Sequence, residues 1–176
     1  MLRTRGGYTD REDRFPGKRP LQSMFSAMVN RDKTLAEVLE ARYPQFTHLH
    51  DDLHELQETY RAYKAEHDML DFDDLLRRTH ELLATNDTIR QQVAARCRHV
   101  LVDEYQDTNA LQASLVEQFT SVHGNVTAVG DDAQSIYRFR GADFRNIFRF
   151  PDLYDNAQVL KLEQNYRSTQ PILDLA

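Results

Sequence analysis

Two adjacent carboxylates, Asp103 and Glu104, directly follow a short apolar run at residues 100–102. Two of those three apolar residues are β-branched, which is typical of a short buried parallel strand. Ligands of open α/β sheets bind outside the carboxyl ends of the strands, where a phosphate and its metal would lie beside this pair. One carboxylate could hold Mg²⁺ while the other orients or deprotonates a water. For the pair taken alone, a solvated acidic turn is an equally good interpretation.

A second apolar run also ends in polar residues. Residues 126–129 predict a buried strand that runs into the acidic and amide-bearing segment 130–135. A helix predicted over residues 109–122 joins the two strands, which makes a βαβ unit with a ligand edge. Gln134 could contact a phosphate oxygen or an attacking water, and so report whether the terminal phosphate is present.

A third strand is predicted at residues 159–162, where the sequence Val-Leu-Lys-Leu runs into a polar segment ending in Arg167 and Ser168. Thr169 then caps a last helix, which has Pro171 near its start. The strands and helices after about residue 98 therefore alternate.

Aromatic residues alternate with arginines at Ile136-Tyr137-Arg138-Phe139-Arg140-Gly141. Stacked bases need flat faces and the nucleic-acid backbone needs cations, so this segment predicts a single-strand contact. Two further arginines, Arg145 and Arg149, extend the basic strip. A buried aromatic pair flanked by surface arginines is the alternative.

The elements before residue 98 are predicted to be helical. Residues 1–32 are rich in Arg, Gly and Asp and predict an irregular lead-in. The pair Gly17-Lys18 lacks the earlier glycine and the following Ser or Thr of a phosphate-binding loop. Apolar spacing predicts helices over residues 33–43 and, as one long amphipathic helix, over residues 49–63. A coiled-coil partner helix is the alternative to core packing for the long one.

Acidic residues predict the starts of two more helices. Asp71 caps a helix whose inward face carries four leucines, which are Leu75, Leu76, Leu82 and Leu83. Asp87 can start the next helix, which leads to the first strand. We therefore expect a mostly helical region over residues 1–97 and an alternating α/β region over residues 98–176.

Composition excludes some classes of protein. The 176 residues are 40% hydrophobic and 28% charged, as in an ordinary globular protein, and contain no apolar run of the roughly 20 residues that span a bilayer. A net charge of -6 argues against general attraction to nucleic acid, although a channel lined locally by arginine is compatible with it. A single cysteine, Cys97, excludes an internal disulfide and favours a cytoplasmic location. It is better explained as a small buried hydrophobe than as a catalytic thiol.

Four segments carry a resemblance to a known family. They are DFDDLL at residues 71–76, VDEYQDTN at 102–109, VGDDAQSIYRFRGA at 129–142 and LEQNYRS at 162–168. In this order they resemble the UvrD/Rep-like superfamily I DNA helicases. The second segment is similar to the family's Walker B motif, the third to the segment that couples ATP to DNA, and the fourth to a nucleotide-contacting segment.

The resemblance implies roles at the ATP site, with ATP and Mg²⁺ as cofactors. Asp103 would hold Mg²⁺, and Glu104 would act on the attacking water. Gln106 and Gln134 would sense the γ-phosphate and connect it to the DNA site.

The resemblance also implies contacts with the adenine and with DNA. Tyr166 would stack on the adenine, and Arg167 would reach the γ-phosphate. The residues expected to touch single-stranded DNA are Tyr137, Phe139 and Arg140. Many relatives have tryptophan at the position of Phe139, and phenylalanine keeps the stacking face with a smaller area.

The implied fold is a partial RecA-like P-loop NTPase domain, with parallel strands and helices, preceded by a helical insertion subdomain. The sequence contains no Walker A loop, so we expect an interior piece of a helicase that hydrolyses no ATP alone. Its partners would be the remainder of the motor, single-stranded DNA and duplex junctions, in 3′-to-5′ unwinding for repair or recombination, with no membrane. A non-catalytic DNA- or protein-binding module is the alternative, and a metal-dependent nuclease using Asp103, Glu104 and Asp107 is a weaker one.

Overall fold

A computed structural model describes residues 15–135, 141–143 and 145–175 of the chain. Within these ranges the chain is mostly helical, and two short strands form a parallel sheet. The helices and strands, in chain order, are α1 (Lys18–Arg31), α2 (Leu35–Arg42), α3 (His50–Glu66), α4 (Phe72–Thr85), α5 (Asp87–Arg96), β1 (Val100–Val102), α6 (Ala110–Thr120), β2 (Val126–Ala128), α7 (Arg145–Leu153) and α8 (Gln170–Leu173). Short 3-10 helices lie at Pro44–Leu49, Tyr105–Asp107 and Asp132–Gln134.

The main hydrophobic core lies among α1, α2 and α3. Met24 of α1 and Leu53 of α3 are both 0% exposed, and they pack with Leu35, Val38, Leu39 and Leu49. The prediction of an irregular stretch over residues 1–32 is therefore wrong for α1, while residues 1–14 lie outside the described ranges. Leu21, Met24, Phe25 and Met28 are spaced as one face of a helix, and that stripe outweighs the local content of Arg and Gly.

The long helix predicted after residue 49 is present as α3, and its first half is buried as predicted. Its second half is not buried, since Tyr60 and Tyr63 are 42% and 50% exposed. No helix among the described residues is both long and apolar enough to cross a lipid bilayer.

Helix α4 begins at a reciprocal cap. The Asp71 carboxylate accepts the Asp74 N–H at 2.8 Å, and the Asp74 carboxylate accepts the Asp71 N–H at 3.2 Å. The prediction that four leucines of this helix face inward is only partly right. Leu83 is 2% exposed, whereas Leu75 and Leu82 are 49% and 46% exposed because the described elements leave their side of the helix uncovered.

Lys64 of α3 forms ion pairs with two carboxylates at the start of α4. Its ammonium donates to the Asp71 carboxylate at 2.6 Å and also to the Asp74 carboxylate, and the Lys64 and Asp74 side chains are only 11% and 12% exposed. Burial alone would raise the pKa of Asp74, but the Lys64 hydrogen bond and charge outweigh burial and lower that pKa. The same contacts raise the pKa of Lys64 against its own burial.

We expect Lys64→Met to lower the free energy of unfolding by about 1–3 kcal/mol at neutral pH, because it leaves the buried Asp74 carboxylate with only the longer contact to the Arg77 guanidinium, at 3.4 Å, as its cationic partner. The lowered pKa of Asp74 stabilises the folded chain above the ordinary value near 3.8, and this stabilisation is lost as the pH falls through the folded value. The variant should therefore show a weaker loss of stability below about pH 4.

Urea unfolding at a series of pH values measures both effects. Lys33→Met is the matched control, since Lys33 pairs with Glu37 on the exposed face of α2, where a surface ion pair contributes little. Equal losses in the two variants would contradict a special role for Lys64.

The strands β1 and β2 pair in parallel, with Val100, Leu101 and Val102 opposite Val126, Thr127 and Ala128. This confirms the predicted βαβ unit, since α6 connects the two strands. The prediction that the first strand is buried is wrong on one face, because Leu101 is 80% exposed. The predicted third strand is absent from the described sheet. Residues 159–162 have no strand partner there and are exposed, and a strand cannot form without a partner.

Helix α7 covers the start of the polar segment that follows β1. The Phe150 ring of α7 meets the buried Tyr105 ring edge-on at 5.1 Å between centroids, and the Tyr154 hydroxyl, just after α7, lies 3.0 Å from the Thr120 hydroxyl of α6. Burial raises the pKa of Tyr105 to about 12. The aromatic packing thus fixes the chain directly after the acidic pair.

Candidate functional site

The acidic pair lies at a sharp turn where β1 ends. Glu104 has a φ of 49°, in the left-handed region that non-glycine residues rarely adopt. The Asp103 carboxylate accepts the Glu104 N–H at 2.9 Å, and both side chains are exposed. Backbone strain of this kind is concentrated at functional sites. The turn places both carboxylates outside the carboxyl end of the strand, as the sequence predicts.

Gln106 joins the ends of the two strands. It is only 1% exposed, its amide nitrogen donates to the Glu104 carboxylate at 2.6 Å, and its amide oxygen accepts the Asp131 N–H at 3.0 Å. Asp131 in turn accepts the Gln134 side-chain amide at 2.7 Å. Four polar residues of the two strand ends are therefore connected by hydrogen bonds, in which Asp131 takes part with its backbone N–H as well as its carboxylate. We call them the strand-end cluster: Glu104, Gln106, Asp131 and Gln134.

Asp131 is the member of the strand-end cluster to which sequence reasoning gave no role. The available signal was its position two residues after a predicted strand, in an acidic segment that directly follows that strand. Its carboxylate also accepts the Ala133 N–H at 3.0 Å, so it fixes the 3-10 helix that carries Gln134.

Gly130 leaves the space that Gln106 needs. A Cβ at Gly130 would lie 2.6 Å from the Gln106 amide oxygen and 2.7 Å from the Ile147 Cδ1 atom. Both distances are far below normal contact, so a methyl group there must displace Gln106 or α7.

We expect Gly130→Ala to lower the free energy of unfolding by about 1–3 kcal/mol through overpacking. Chemical denaturation measures the change. Gly17→Ala is the control, because a Cβ at Gly17 meets nothing within 4 Å. Equal stability of the two variants would contradict the close packing of Gln106 against this glycine.

The two remaining predicted nucleotide contacts, Tyr166 and Arg167, make no described contact with the strand-end cluster. Tyr166 is 93% exposed. The Asn165 side-chain oxygen accepts the N–H groups of Arg167 and Ser168 at 2.8 and 2.9 Å, which forms a turn that leaves the Arg167 side chain exposed. Within the described ranges no hydrogen bond or ion pair joins Tyr166 or Arg167 to the cluster. Their convergence on one nucleotide pocket stays a prediction.

The predicted DNA contacts Tyr137, Phe139 and Arg140 lie outside the described residues. The chain on either side of them is well anchored. Gln134 belongs to the strand-end cluster, and beyond the gap the Asp143 N–H donates to the Thr108 carbonyl at 3.0 Å. The Asn146 side chain donates to the same carbonyl, also at 3.0 Å.

Asn30 is a second residue that sequence reasoning missed, because its partners are far away in the sequence. Its side-chain nitrogen donates to Asp73 at the start of α4 at 3.0 Å, and its oxygen accepts from Asn109, the N-cap of α6, at 2.8 Å. A Cβ at Gly141 would lie 3.0 Å from the Asn30 carbonyl, and Gly141 has a φ of +97°. The helical region is therefore attached to the chain that follows the acidic pair.

The strand ends suit a hard cation shared with phosphates. Asp103 and Glu104 are exposed oxygen donors, and Mg²⁺ usually takes one or two carboxylates together with phosphate oxygens. The described residues contain no cluster of three or more His, Cys, Asp or Glu placed to hold a metal. Asp107 instead lines a cleft beside α1.

Comparison with known protein families matches residues 6–155 to the UvrD/REP helicase N-terminal domain. Among similar proteins, a "Probable DNA helicase II homolog" of Rickettsia conorii is 44% identical over 119 residues, which are 68% of this chain and 18% of that protein. The "ATP-dependent DNA helicase Rep" of Buchnera aphidicola subsp. Schizaphis graminum is 39% identical over 157 residues, 89% of this chain and 21% of that protein. The "DNA helicase II" of Escherichia coli is 44% identical over 123 residues, 68% of this chain and 17% of that protein.

These matches confirm the resemblance carried by the four sequence segments. The chain spans about a fifth of the length of the relatives it matches. Because the family match extends over most of its residues, this chain belongs to the UvrD/REP helicase N-terminal domain family.

Proposed function

We propose that the chain is the part of an ATP-dependent DNA helicase that activates the water for ATP hydrolysis and passes the state of the nucleotide to single-stranded DNA. The helicase translocates on the single strand and unwinds duplex in the 3′-to-5′ direction, in DNA repair or recombination. The names of the relatives, DNA helicase II and ATP-dependent DNA helicase Rep, support the assignment to an ATP-dependent DNA helicase. The sequence segments at residues 102–109 and 129–142 support the roles in activating water and in coupling the nucleotide to DNA.

The observation that carries the proposal is the buried Gln106 between the two strand ends. Its amide holds the Glu104 carboxylate on one side and the Asp131 N–H on the other, so the position of the catalytic carboxylate depends on the segment that leads to Gln134. A shift at Gln134 on loss of the γ-phosphate would be transmitted through Asp131 and Gln106. This is a discrete set of contacts through which two sites can be coupled.

The chemistry required of this chain is positioning and proton transfer. When ATP and Mg²⁺ are bound, the metal neutralises the charge on the phosphates. Asp103 would hold the ion, Glu104 would accept a proton from the attacking water, and Arg167 would stabilise the charge on the γ-phosphate. Tyr166, which is almost fully exposed, offers a free face for the adenine.

The DNA contact is assigned to residues 136–140, which connect the strand-end cluster to Gly141. Tyr137 and Phe139 would stack on bases, and Arg140 would contact the backbone. The described residues on both sides of this segment are held by hydrogen bonds, from Gln134 to Asp131 and from Asp143 to Thr108, which supports the coupling role.

The 176-residue polypeptide by itself is expected to show no ATP hydrolysis stimulated by single-stranded DNA. Its sequence holds no glycine-rich loop with a lysine to bind the β- and γ-phosphates. Phosphate release measured with and without an oligonucleotide tests this. Clear stimulation that disappears in Glu104→Gln would overturn the expectation and identify a self-sufficient ATPase.

The test of the proposed function is a grafted motor. It consists of E. coli DNA helicase II in which residues 18–173 of this chain replace the corresponding segment. If the proposal is right, the grafted motor keeps ATP hydrolysis that is stimulated by single-stranded DNA. The Gln106→Ala variant of the graft should lose this stimulation by DNA. A well-folded graft that hydrolyses ATP equally with and without DNA would overturn the coupling role.

A further inference from the structure

Asn30, near the end of α1, lies where the helical region meets the chain that follows the acidic pair. Its side chain connects Asp73 of α4 to Asn109, the N-cap of α6. We propose that Asn30 is a positioning residue, through which the helical region sets the position of the strand-end cluster. The inference rests on the proposed function, because it adds a residue of the helical region to the contacts that couple ATP hydrolysis to DNA.

The side-chain amide of Asn30 is held in one orientation. Its nitrogen has three oxygen acceptors, the Ser26 carbonyl and hydroxyl at 2.9 Å and the Asp73 carboxylate at 3.0 Å. Its oxygen accepts the Asn109 side-chain nitrogen at 2.8 Å. The Asn109 side-chain oxygen is already used, because it accepts the Gln112 N–H at 2.8 Å. Each partner of Asn30 therefore offers the complementary group, and the bridge has a fixed polarity.

The bridge acts on a short and internally bonded piece of chain. Asn109 is 5% exposed, and only two residues separate it from Gln106. One of these, Thr108, donates its N–H to the Tyr105 carbonyl at 3.1 Å. The position of the Gln106 amide, which bonds Glu104 and the Asp131 N–H, therefore depends on where Asn109 is held. Networks of buried polar groups specify position in this way, since each bond needs its donor and acceptor in place.

Asn30 also contacts the chain that returns from the second strand end. A Cβ at Gly141 would lie 3.0 Å from the Asn30 carbonyl oxygen and 3.2 Å from its Cβ, so only glycine fits there without a shift. Asp73, Asn109 and Gly141 belong to three of the four segments that carry the family resemblance. The geometry thus brings these three segments together at one residue of α1, which is the arrangement that a positioning role requires.

The first test follows amide hydrogen exchange in the complete 176-residue chain by NMR. In Asn30→Ala the Asp131 N–H, which donates to Gln106, should exchange about tenfold faster, the effect of losing one hydrogen bond on a local opening. The Val38 N–H in the core of α2 donates to the Thr34 carbonyl at 3.1 Å and should keep its rate. Equal acceleration at Val38 and Asp131 would show general destabilisation and overturn the positioning role.

The matched control is His80→Ala. The His80 ring nitrogen lies 3.0 Å from the Ser114 hydroxyl, so it also connects α4 to α6, but more than one turn beyond Asn109. This variant should leave the exchange of the Asp131 N–H unchanged. An effect equal to that of Asn30→Ala would assign the result to contact between the two helices in general and would overturn the specific role of Asn30.

A second pair of variants tests the polarity of the bridge. Asn30→Asp places a carboxylate against Asp73, and should accelerate exchange of the Asp131 N–H as Asn30→Ala does. Adding Asp73→Asn exchanges the two groups, so that the new amide can donate to the new carboxylate and Asn109 still finds an oxygen acceptor. Exchange in the double variant should return to within about twofold of the unchanged chain. No recovery in a double variant that unfolds at the same temperature as the unchanged chain would overturn the bridge.

The grafted motor separates this inference from the proposed function. There Asn30→Ala should lower the stimulation of ATP hydrolysis by single-stranded DNA about tenfold, as for the loss of coupling between two sites, while the affinity for nucleotide changes little. Unchanged exchange of the Asp131 N–H in Asn30→Ala would overturn the positioning role, whatever the motor does. Faster exchange together with full stimulation by DNA would support the positioning role and overturn the coupling role in the proposed function.

Discussion

Replacing Arg167 by alanine in the grafted motor is expected to lower the rate of ATP turnover by about 10³–10⁵-fold, the range for an arginine that stabilises the transition state of phosphoryl transfer. The affinity for nucleotide should change little. The Arg167 side chain is exposed and its backbone is held by Asn165, so the truncation removes the charge without disturbing the fold.

Two controls make this expectation specific. Arg167→Lys keeps the charge but loses the planar fork, and should recover only a small part of the rate. Lys161→Ala removes an exposed cation from the segment that precedes Arg167 and should leave the rate unchanged. Single-turnover phosphate release measures the rate, and displacement of a fluorescent ATP analogue measures the affinity. An Arg167→Ala motor that binds no nucleotide would show that the arginine holds the ground state, contrary to the assigned role.

Glu104→Gln is expected to lower ATP turnover by about 10²–10⁴-fold, the contribution of a general base. Glutamine has nearly the shape of glutamate, and its amide oxygen can still accept the hydrogen bond that Gln106 donates at 2.6 Å. The amide cannot take a proton from water. The strand-end cluster should therefore remain assembled while the chemical step slows.

The comparison with Asp132→Asn separates the loss of the general base Glu104 from the effect of removing any negative charge at this edge of the sheet. Asp132 is an exposed carboxylate on the same edge of the sheet, and its replacement should leave the rate within about threefold, or less than about 1 kcal/mol. Rapid-quench hydrolysis and equilibrium binding of nucleotide are measured for both variants. Unchanged turnover in Glu104→Gln would show that Glu104 is not the general base. It would favour the alternative that Asp103 and Glu104 form only a solvated acidic turn.

Local sequence signals predicted the elements whose ends are fixed by their own residues. Asp71 and Asn109 cap helices through hydrogen bonds to residues three positions later, and such spacing is visible in a sequence. The two strands were also predictable, because short apolar runs before acidic residues stand out. The acidic pair and Gln134 were identified for the same reason.

The errors came from contacts between distant parts of the chain. Residues 159–162 have the composition of a strand, but pairing depends on a neighbour that no local pattern reveals. The buried position of Gln106, and the bonds from Asn30 to Asp73 and Asn109, depend on how helices and strand ends meet. The family resemblance assigned roles to side chains, yet it gave no hint of these contacts.

The two-stranded sheet has a consequence for how the chain behaves in solution. Among the described residues each of its strands is an edge strand, so each presents backbone donors and acceptors without a strand partner along one side. The Leu101 side chain adds an uncovered apolar surface beside them. A segment that adds another strand to the sheet, by β-augmentation, would pair the free backbone groups and cover the Leu101 side chain at the same time. At high concentration the same surface offers a route to self-association, so dilute, low-temperature handling should favour the monomer.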